Sequence, residues 1–400
     1  MKVERDDGRA PRVLMVHNAY QQRGGEDAVC EAEFALLAQR GHAVRLYARH
    51  NDEIAARSRV KLAAQTVWSR RTTEELARVI EAFRPDVIHA HNTFPLVSPS
   101  LYWAADRAGV PVVQTLHNFR LMCPQAMLLR EGRVCEDCVG RLPWRGVVRA
   151  CYRGSIAQSG VLAGTVVLHR AFGTYRHKVT RYVALNRFCR DKFVQAGLPA
   201  ERIRIKPNFI DSPERPAWTQ REGGLFVGRL SPEKGLDVLA AAVRQLPHPR
   251  VSVVGDGELA PLARQTFGGG YLGFRPVDEI LALMRRALYL VVPSLWYENF
   301  PRTIAEAYAC GLPVIASRIG ALAEIVEDGV TGLLFEPGDA QDLARRLQWA
   351  EAHPEAMHEM GQAARAAYEA HYTPERNYQQ LMEIYADAIE HVRQGARQAA

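Results

Sequence analysis

Residues 225–257 read LFVGRLSPEKGLDVLAAAVRQLPHPRVSVVGDG. An apolar run ends in Arg229, a Pro-containing turn leads to Gly235, a helix-period stretch follows, and a second β-branched run closes the segment. Short apolar runs of this kind suit strands buried on both faces, and the stretch between them is long enough for a crossover helix. The segment therefore reads as a β-α-β unit, which implies a parallel sheet covered by helices.

The same alternation continues in both directions. Downstream come YLGF (271–274), a helix from Val277, YLVVPS (289–294), a helix from Pro301, LPVIAS (312–317), a helix from Ala321, TGLLF (331–335) and a helix from Asp339. Upstream, RVLMVH (12–17) leads through a Gly-Gly turn to an amphipathic stretch over 26–39. AVRLYA (43–48), DVIHAH (86–91), a helix near 98–108 and VPVVQTLH (110–117) follow. A Cys-rich insertion over 120–153 and a helix from Ser155 to about Lys178 interrupt this series before YVAL (182–185) resumes it. The Pro-rich segment 206–224 between the two series reads as a linker. Two doubly wound α/β domains follow, over 11–206 and 207–373, with a last helix over 374–395 that can cross back to the first. Ligands are expected at the carboxyl ends of the strands and in a cleft between the domains.

Over 400 residues, 48% hydrophobic and 24% charged content is ordinary globular composition and excludes a collagenous or mainly disordered chain. No apolar run reaches the roughly 18 residues of a membrane span, and the charged start MKVERDDGRA does not read as a secretory signal. A cytoplasmic protein is the expectation. The net charge of +7 conceals an asymmetry: residues 1–206 carry 33 Lys+Arg and 19 Asp+Glu, or +14, and the remainder 18 and 25, or −7. A basic half attracts anions.

Arg229 and Lys234 place two cations beside a helix start, where free N–H groups also favour an anion. An ordinary polar loop would account for that pentad alone. The string ENFPRTIAEAYACGLPVIAS (298–317) adds Glu298 in a loop, Pro301 at a first helical position and Glu306 farther along the helix. Carboxylates accept hydrogen bonds from vicinal hydroxyls, and N–H groups near Arg302 and Thr303 can meet a phosphate. The set is coherent as a nucleotide-sugar site.

With GGEDAV (24–29), GRLSPEKG (228–235) and EIVEDGVTGLLFEPGD (324–339), these strings resemble the family 4 glycosyltransferases, retaining enzymes of the GT-B fold with two Rossmann-like domains facing across a cleft. The resemblance spans residues 11–390. It implies that Arg229 and Lys234 neutralise a departing diphosphate, that Glu298 contacts donor-sugar hydroxyls and that Glu306 holds the nucleotide ribose. Asn299, Phe300 and Thr303 complete the donor side, with Thr303 near the β-phosphate. Gly24 and Gly25 let backbone approach the donor phosphates, and His117 contacts the transferred sugar. By the same resemblance, a hexose is expected to pass to a glycan or lipid-linked glycan hydroxyl in polysaccharide biosynthesis by same-face attack. No catalytic metal is needed, because cations and helix N-termini replace it. Two departures from the family pattern are Gln21-Gln22-Arg23 before the glycines, which bears on acceptor choice, and Ala321 after Gly320, which stiffens a loop.

Two further clusters invite a metal. His89 and His91 share a strand face, but two ligands do not close a site, so they read as strand-end histidines bordering the cleft, with Asn92 on the acceptor side. Cys123, Cys135, Cys138 and Cys151 have spacings that allow a closed tetrahedral zinc site of structural role, against the simpler reading of four packed thiols.

Residues 130–192 hold 13 Lys+Arg against 4 Asp+Glu. Arg141, Arg145, Arg149 and Arg153 recur at four-residue spacing, which aligns them on one face of a helix, and 155–172 is apolar enough for an interface. Peripheral docking to an anionic membrane at its cytoplasmic face follows, with a solvated basic face and a core helix as the bland alternative. A GT-B epimerase and an α-glucan phosphorylase are rivals within the fold. A zinc-ribbon nucleic-acid binder is disfavoured by the acidic second half and the few aromatics among the basic residues, so no nucleic-acid partner is expected.

Overall fold

The computed structural model describes residues 10–55, 57–212, 216, 221–248 and 250–399. Part of the expected linker, and the charged start apart from its last residue, lie outside them. The described chain divides into two compact units. One comprises the segments up to Leu128, Glu136–Lys206 and Asn377 onward; the other comprises Leu129–Cys135 and Pro207–Arg376.

In chain order the strands are β1 (Val13–Ala19), β2 (Val44–His50), β3 (Val87–Ala90), β4 (Val112–Thr115), β5 (Leu129–Arg130), β6 (Arg133–Val134), β7 (Arg181–Ala184) and β8 (Ile203–Ile205). They continue with β9 (Gly224–Val227), β10 (Val251–Val254), β11 (Tyr271–Gly273), β12 (Tyr289–Val292), β13 (Val314–Ser317) and β14 (Gly332–Phe335). In the first unit they form a sheet of order β2-β1-β3-β4-β7-β8, and in the second a sheet of order β11-β10-β9-β12-β13-β14. Every pairing within these two sheets is parallel. β5 and β6 form a separate antiparallel pair.

The strand residues are apolar on both faces because both faces are covered: β3, β4, β7, β12, β13 and β14 are buried throughout. In each sheet the strand order reverses once, between β1 and β3 and between β9 and β12, where loops diverge and leave a crevice at the carboxyl ends. The long helix Pro374–Ala399 contributes Leu381, Met382, Ile384, Tyr385 and Ala388 to a core cluster with Val13, Met15, Val87, Val113 and Val183 of the first sheet.

Local chemistry overrides several expected boundaries. The helix expected over 155–178 runs from Ile156 to Ala171 and breaks at Gly173, whose φ of 65° is left-handed, before a single turn over Thr174–His177. Pro301 is not the first helical residue but the N-cap, at ψ 93°, and the helix is Arg302–Ala309. Ala321 does not stiffen a loop; it lies buried in the first turn of the helix Gly320–Ile325. The four arginines do not line one helix face, because helix is confined there to Trp144–Val148. Positive φ at Gly140, Ala150 and Arg153 bends the backbone on either side, and Arg145 and Arg149 both pair with Asp137.

Candidate active site

In the second unit the site grows from the loops after β9, β10 and β12. The loop 255–257 docks on the loop 228–230: Gly228 N–H donates to the Val254 carbonyl at 3.1 Å, Leu230 N–H to that of Asp256 at 2.9 Å and Leu259 N–H to that of Leu230 at 2.9 Å. After Arg229 a single 3₁₀ turn, Pro232–Lys234, ends at Gly235, whose φ of 70° a side chain would strain. A Cβ there would also stand 1.8 Å from the Pro293 carbonyl oxygen, so glycine is required for the turn to pack on the end of β12. Leu295 N–H donates to the Glu233 carbonyl at 2.9 Å and closes the same seam.

This packing brings Lys234 to Glu298. Lys234 Nζ donates to Glu298 Oε1 at 2.6 Å, and the same oxygen accepts from Ser294 Oγ at 2.8 Å and Trp296 Nε1 at 3.2 Å. Glu298 is buried, whereas Arg229 reaches outward at 64% side-chain exposure, with Glu233 Oε1 at 2.6 Å and Ser231 Oγ at 3.2 Å as partners. Burial would raise the Glu233 carboxyl, but the Ser231 hydroxyl, its own N–H and Arg229 together hold it below the usual carboxylate range.

Glu306 lies on the helix Arg302–Ala309, 3.7 Å from Arg302, and burial pushes its carboxyl above the usual range despite that guanidinium. Thr303 sits half-buried in the first turn of this helix. The Phe300 ring is half-buried and packs at 5.8 Å from the Tyr372 ring, on the core, so its side chain supports the loop. Asn299 is half-buried in the same loop.

In the first unit the corresponding crevice follows β1, β3 and β4. Gly24 precedes the helix Gly25–Gln39, and its N–H donates to Asp27 Oδ2 at 2.7 Å. Neither Gly24 nor Gly25 has positive φ, and a Cβ on Gly25 would meet nothing within 4 Å. What these glycines provide is open space in front of the helix terminus. Asp27 Oδ1 is 2.7 Å from His17 Nε2, and Glu26 bridges the Tyr20 hydroxyl at 2.9 Å and Asn118 Nδ2 at 2.7 Å.

His89 and His91 do point to one side at the end of β3 and are 0% and 2% exposed; His91 lines a pocket there, and His89 lies behind it. Glu33, also fully buried, comes down from the helix Gly25–Gln39 with Oε2 at 3.6 Å from His89 Nδ1 and 3.5 Å from His91 Nε2. These three ligand atoms lie within 4.8 Å of one another, a spacing a metal could use. The surroundings oppose it. Lys206 Nζ, itself buried, donates to Glu33 Oε1 at 2.6 Å, and both nitrogens of His89 face hydroxyls at 2.8 Å, of Tyr385 and Thr115. Lys206 supplies the positive charge that a cation would bring. Burial would raise the Glu33 carboxyl, yet Lys206, His91 and His117 together outweigh it and hold it low, while burial pushes His89, His91 and His117 below the usual histidine range. His117 stacks on His91 with ring centres 5.2 Å apart and His91 Nδ1 to His117 Nε2 at 3.0 Å. The two rings line a pocket of about 70 Å³ with Asn118 and Arg120. Asn92 does not shape this pocket through its amide alone: the buried side chain brackets the Asn18 carbonyl and the Phe94 N–H.

The four cysteines are divided between the two units. Cys123, Cys138 and Cys151 belong to the first unit and Cys135 to the second, and among the described residues Glu33, His89 and His91 are the set of three or more potential ligands gathered within 4.8 Å. Cys123 and Cys138 are buried thiols, and nothing in this geometry supports the zinc site that the spacing suggested.

Two family profiles match the chain in tandem: Glycosyltransferase Family 4 over residues 24–213 and Glycosyl transferases group 1 over 213–367. The chain belongs to the family 4 glycosyltransferases. Among its relatives, the amylovoran biosynthesis glycosyltransferase AmsK of Erwinia amylovora is 32% identical over 226 residues, half of this chain and 54% of that protein. An uncharacterized glycosyltransferase of Methanocaldococcus jannaschii is 38% identical over 130 residues, 31% of this chain and 36% of that protein. The chain thus spans about half or less of the length of these two curated relatives. HepE of Anabaena, solved in complex with UDP-glucose, superposes with a TM-score of 0.62 at 20% identity, covering 93% of this chain and 98% of that one. At that identity the likeness is one of fold, and the GT-B class expected for these two Rossmann-like units is the class observed.

The motif reading passed over Glu33, Lys206, Asp27 and His17. Asp27 lies inside the quoted GGEDAV string and was open to notice. Glu33 and Lys206 are 173 residues apart and share no motif.

Proposed function

We propose that this glycosyltransferase moves a hexose from a nucleoside-diphosphate sugar to a hydroxyl of a glycan or lipid-linked glycan, with retention, in polysaccharide biosynthesis. The observation that carries this reading is the Lys234–Glu298 pair at the strand-order reversal of the second sheet, flanked by Arg229, the start of the helix Arg302–Ala309 and Glu306. A diphosphate would draw Lys234 and Arg229 onto its oxygens, leaving Glu298 to accept from sugar hydroxyls and Glu306 from the ribose. Once its charge is offset the diphosphate is a competent leaving group, so preorganised cations and N–H dipoles supply the catalysis. Same-face attack lets the departing phosphate take the acceptor's proton. The UDP-glucose held by HepE and the biosynthetic role in the name AmsK support the donor class and the pathway type.

The acceptor side is assigned to the first unit, with His117 at the transferred sugar and Gly24 and Gly25 beside the phosphates. Leu142, Trp144, Val148, Ile156 and Phe172 are 59–67% exposed on or beside two helices that pack together, amid Arg141, Arg149 and Arg153. An exposed apolar surface ringed by basic residues fits an anionic membrane face carrying a lipid-linked acceptor, on the cytoplasmic side. No described helix is long and apolar enough to cross a membrane.

Thermal shift with UDP, GDP and ADP identifies the base, since a ligand of the native state raises apparent stability. Incubation of the preferred nucleotide sugar with and without glycan acceptors then tests the reaction. Acceptor-dependent release of nucleotide supports transfer; acceptor-independent epimerisation of the donor, or no stabilisation by any of the three nucleotides, overturns it.

A further inference from the structure

The buried group around Glu33 has hydrogen-bonding requirements that can be satisfied in a restricted way. Glu33 Oε1 is taken by Lys206, while Glu33 Oε2 and His91 Nε2 are both buried without a hydrogen-bond partner and face each other at 3.5 Å. An ionised carboxylate only accepts, so the proton between them belongs on His91 Nε2. His91 is neutral at ordinary pH because burial disfavours its charged form, which leaves its Nδ1 bare. At 3.0 Å that bare nitrogen accepts from His117, whose proton must then sit on Nε2. The His117 Nδ1 has no partner among the described residues.

We infer that Glu33, acting through His91, holds His117 in its Nε2–H tautomer, so that the nitrogen left free at the sugar site is an acceptor for a sugar hydroxyl. Glu33 and His91 are positioning residues in this scheme, and Lys206 keeps Glu33 ionised and turned toward His91. The sugar-facing role of His117 rests on the function proposed above; the tautomer relay itself does not.

A Glu33→Gln variant distinguishes relay from mere packing. Lys206 can only donate, so it selects the carboxamide oxygen and turns the NH₂ toward His91. His91 Nε2 must then accept, its proton moves to Nδ1, and His117 Nε2 becomes an acceptor with the proton on Nδ1. A near-isosteric change thus inverts the polarity of the free nitrogen.

The test is ¹⁵N NMR of the histidine-labelled full chain near neutral pH, with resonances assigned from His91→Phe and His117→Phe. In the wild type, His91 and His117 should both show protonated Nε2 and bare Nδ1; in Glu33→Gln both patterns should invert, with transfer slowed roughly tenfold or more and nucleotide affinity little changed. Wild-type His117 protonated at Nδ1, or an unchanged pattern in folded Glu33→Gln, overturns the inference. Should Glu33→Gln not fold, His91→Phe decides: loss of a single fixed His117 tautomer supports the relay, and retention of the Nε2–H form without His91 overturns it. If the tautomers are as stated but His117→Phe transfers sugar at the wild-type rate, the relay stands and the sugar-contact role of His117 fails.

Discussion

Lys234 donates to Glu298 at 2.6 Å, so a diphosphate would compete with that carboxylate for the cation. Replacing Lys234 or Arg229 by Ala should lower turnover by roughly 10²-fold, the scale for losing a preorganised charge contact, as steady-state release of nucleotide would show. Near-normal rates in both folded variants would remove them from the leaving-group role. Two glycines make a contrast. Gly235→Ala puts a Cβ into the Pro293 carbonyl and should cost more than about 2 kcal/mol, seen as a lowered Tm. Gly25→Ala meets open space at a helix start and should leave Tm unchanged or slightly higher while slowing transfer. Glu306 offers a pH test. Burial raises its carboxyl, and the ribose contact proposed for it is made best by the charged form, so nucleotide affinity should be complete above the raised value and fall away on acidification earlier than an ordinary glutamate would impose. Titrating nucleotide Kd against pH checks this, and Glu306→Gln should flatten that limb.

Among the elements, the helix Pro374–Ala399 is fastened by Asp387, which accepts from Arg181 at 2.6 and 2.8 Å and from Arg204 at 2.6 Å. Asp387→Ala leaves a largely buried Arg181 without its carboxylate and should destabilise the protein by about 2 kcal/mol in urea melts. Arg181, then Arg204, hold the Asp387 carboxyl below its usual value, so this stabilisation is present above the unfolded pKa and is lost as pH falls through the lowered folded one. The strands were legible because two-face burial writes continuous apolar runs, and the parallel order followed from helices between them. Arg229, Lys234 and Glu298 were legible as motif residues after strand ends, and Glu306 as one on the helix that follows the Glu298 loop. Helix breaks at Gly173 and beside Trp144–Val148 were not, since a regular residue spacing says nothing about φ. The cysteine spacing likewise carried no information on whether the thiols meet. Glu33 reads from sequence as one more charge on an amphipathic helix; its partners lie on β3 and beyond β8, and only the fold brings them together.

At the scale of the whole molecule, the charge asymmetry and the apolar side chains around Trp144 make a further expectation. The protein should co-sediment with anionic vesicles at low salt and release as salt rises, and Trp144→Ser with Phe172→Ser should weaken that binding without lowering nucleotide affinity. Equal recovery with neutral vesicles, or indifference to salt, would point to an acceptor free in solution. The first unit is built from two distant stretches of chain, its sheet from the early segment and a wall of its core from Asn377 onward. On a ribosome adding about 5–20 residues per second, residues 207–376 occupy on the order of ten to thirty seconds. Through that interval the nascent first sheet has Val13, Met15 and Val183 uncovered, and His89, Arg181 and Arg204 lack Tyr385 and Asp387. The second unit, whose main stretch is contiguous, can complete its own core before the first does, so the half made first is the half finished last.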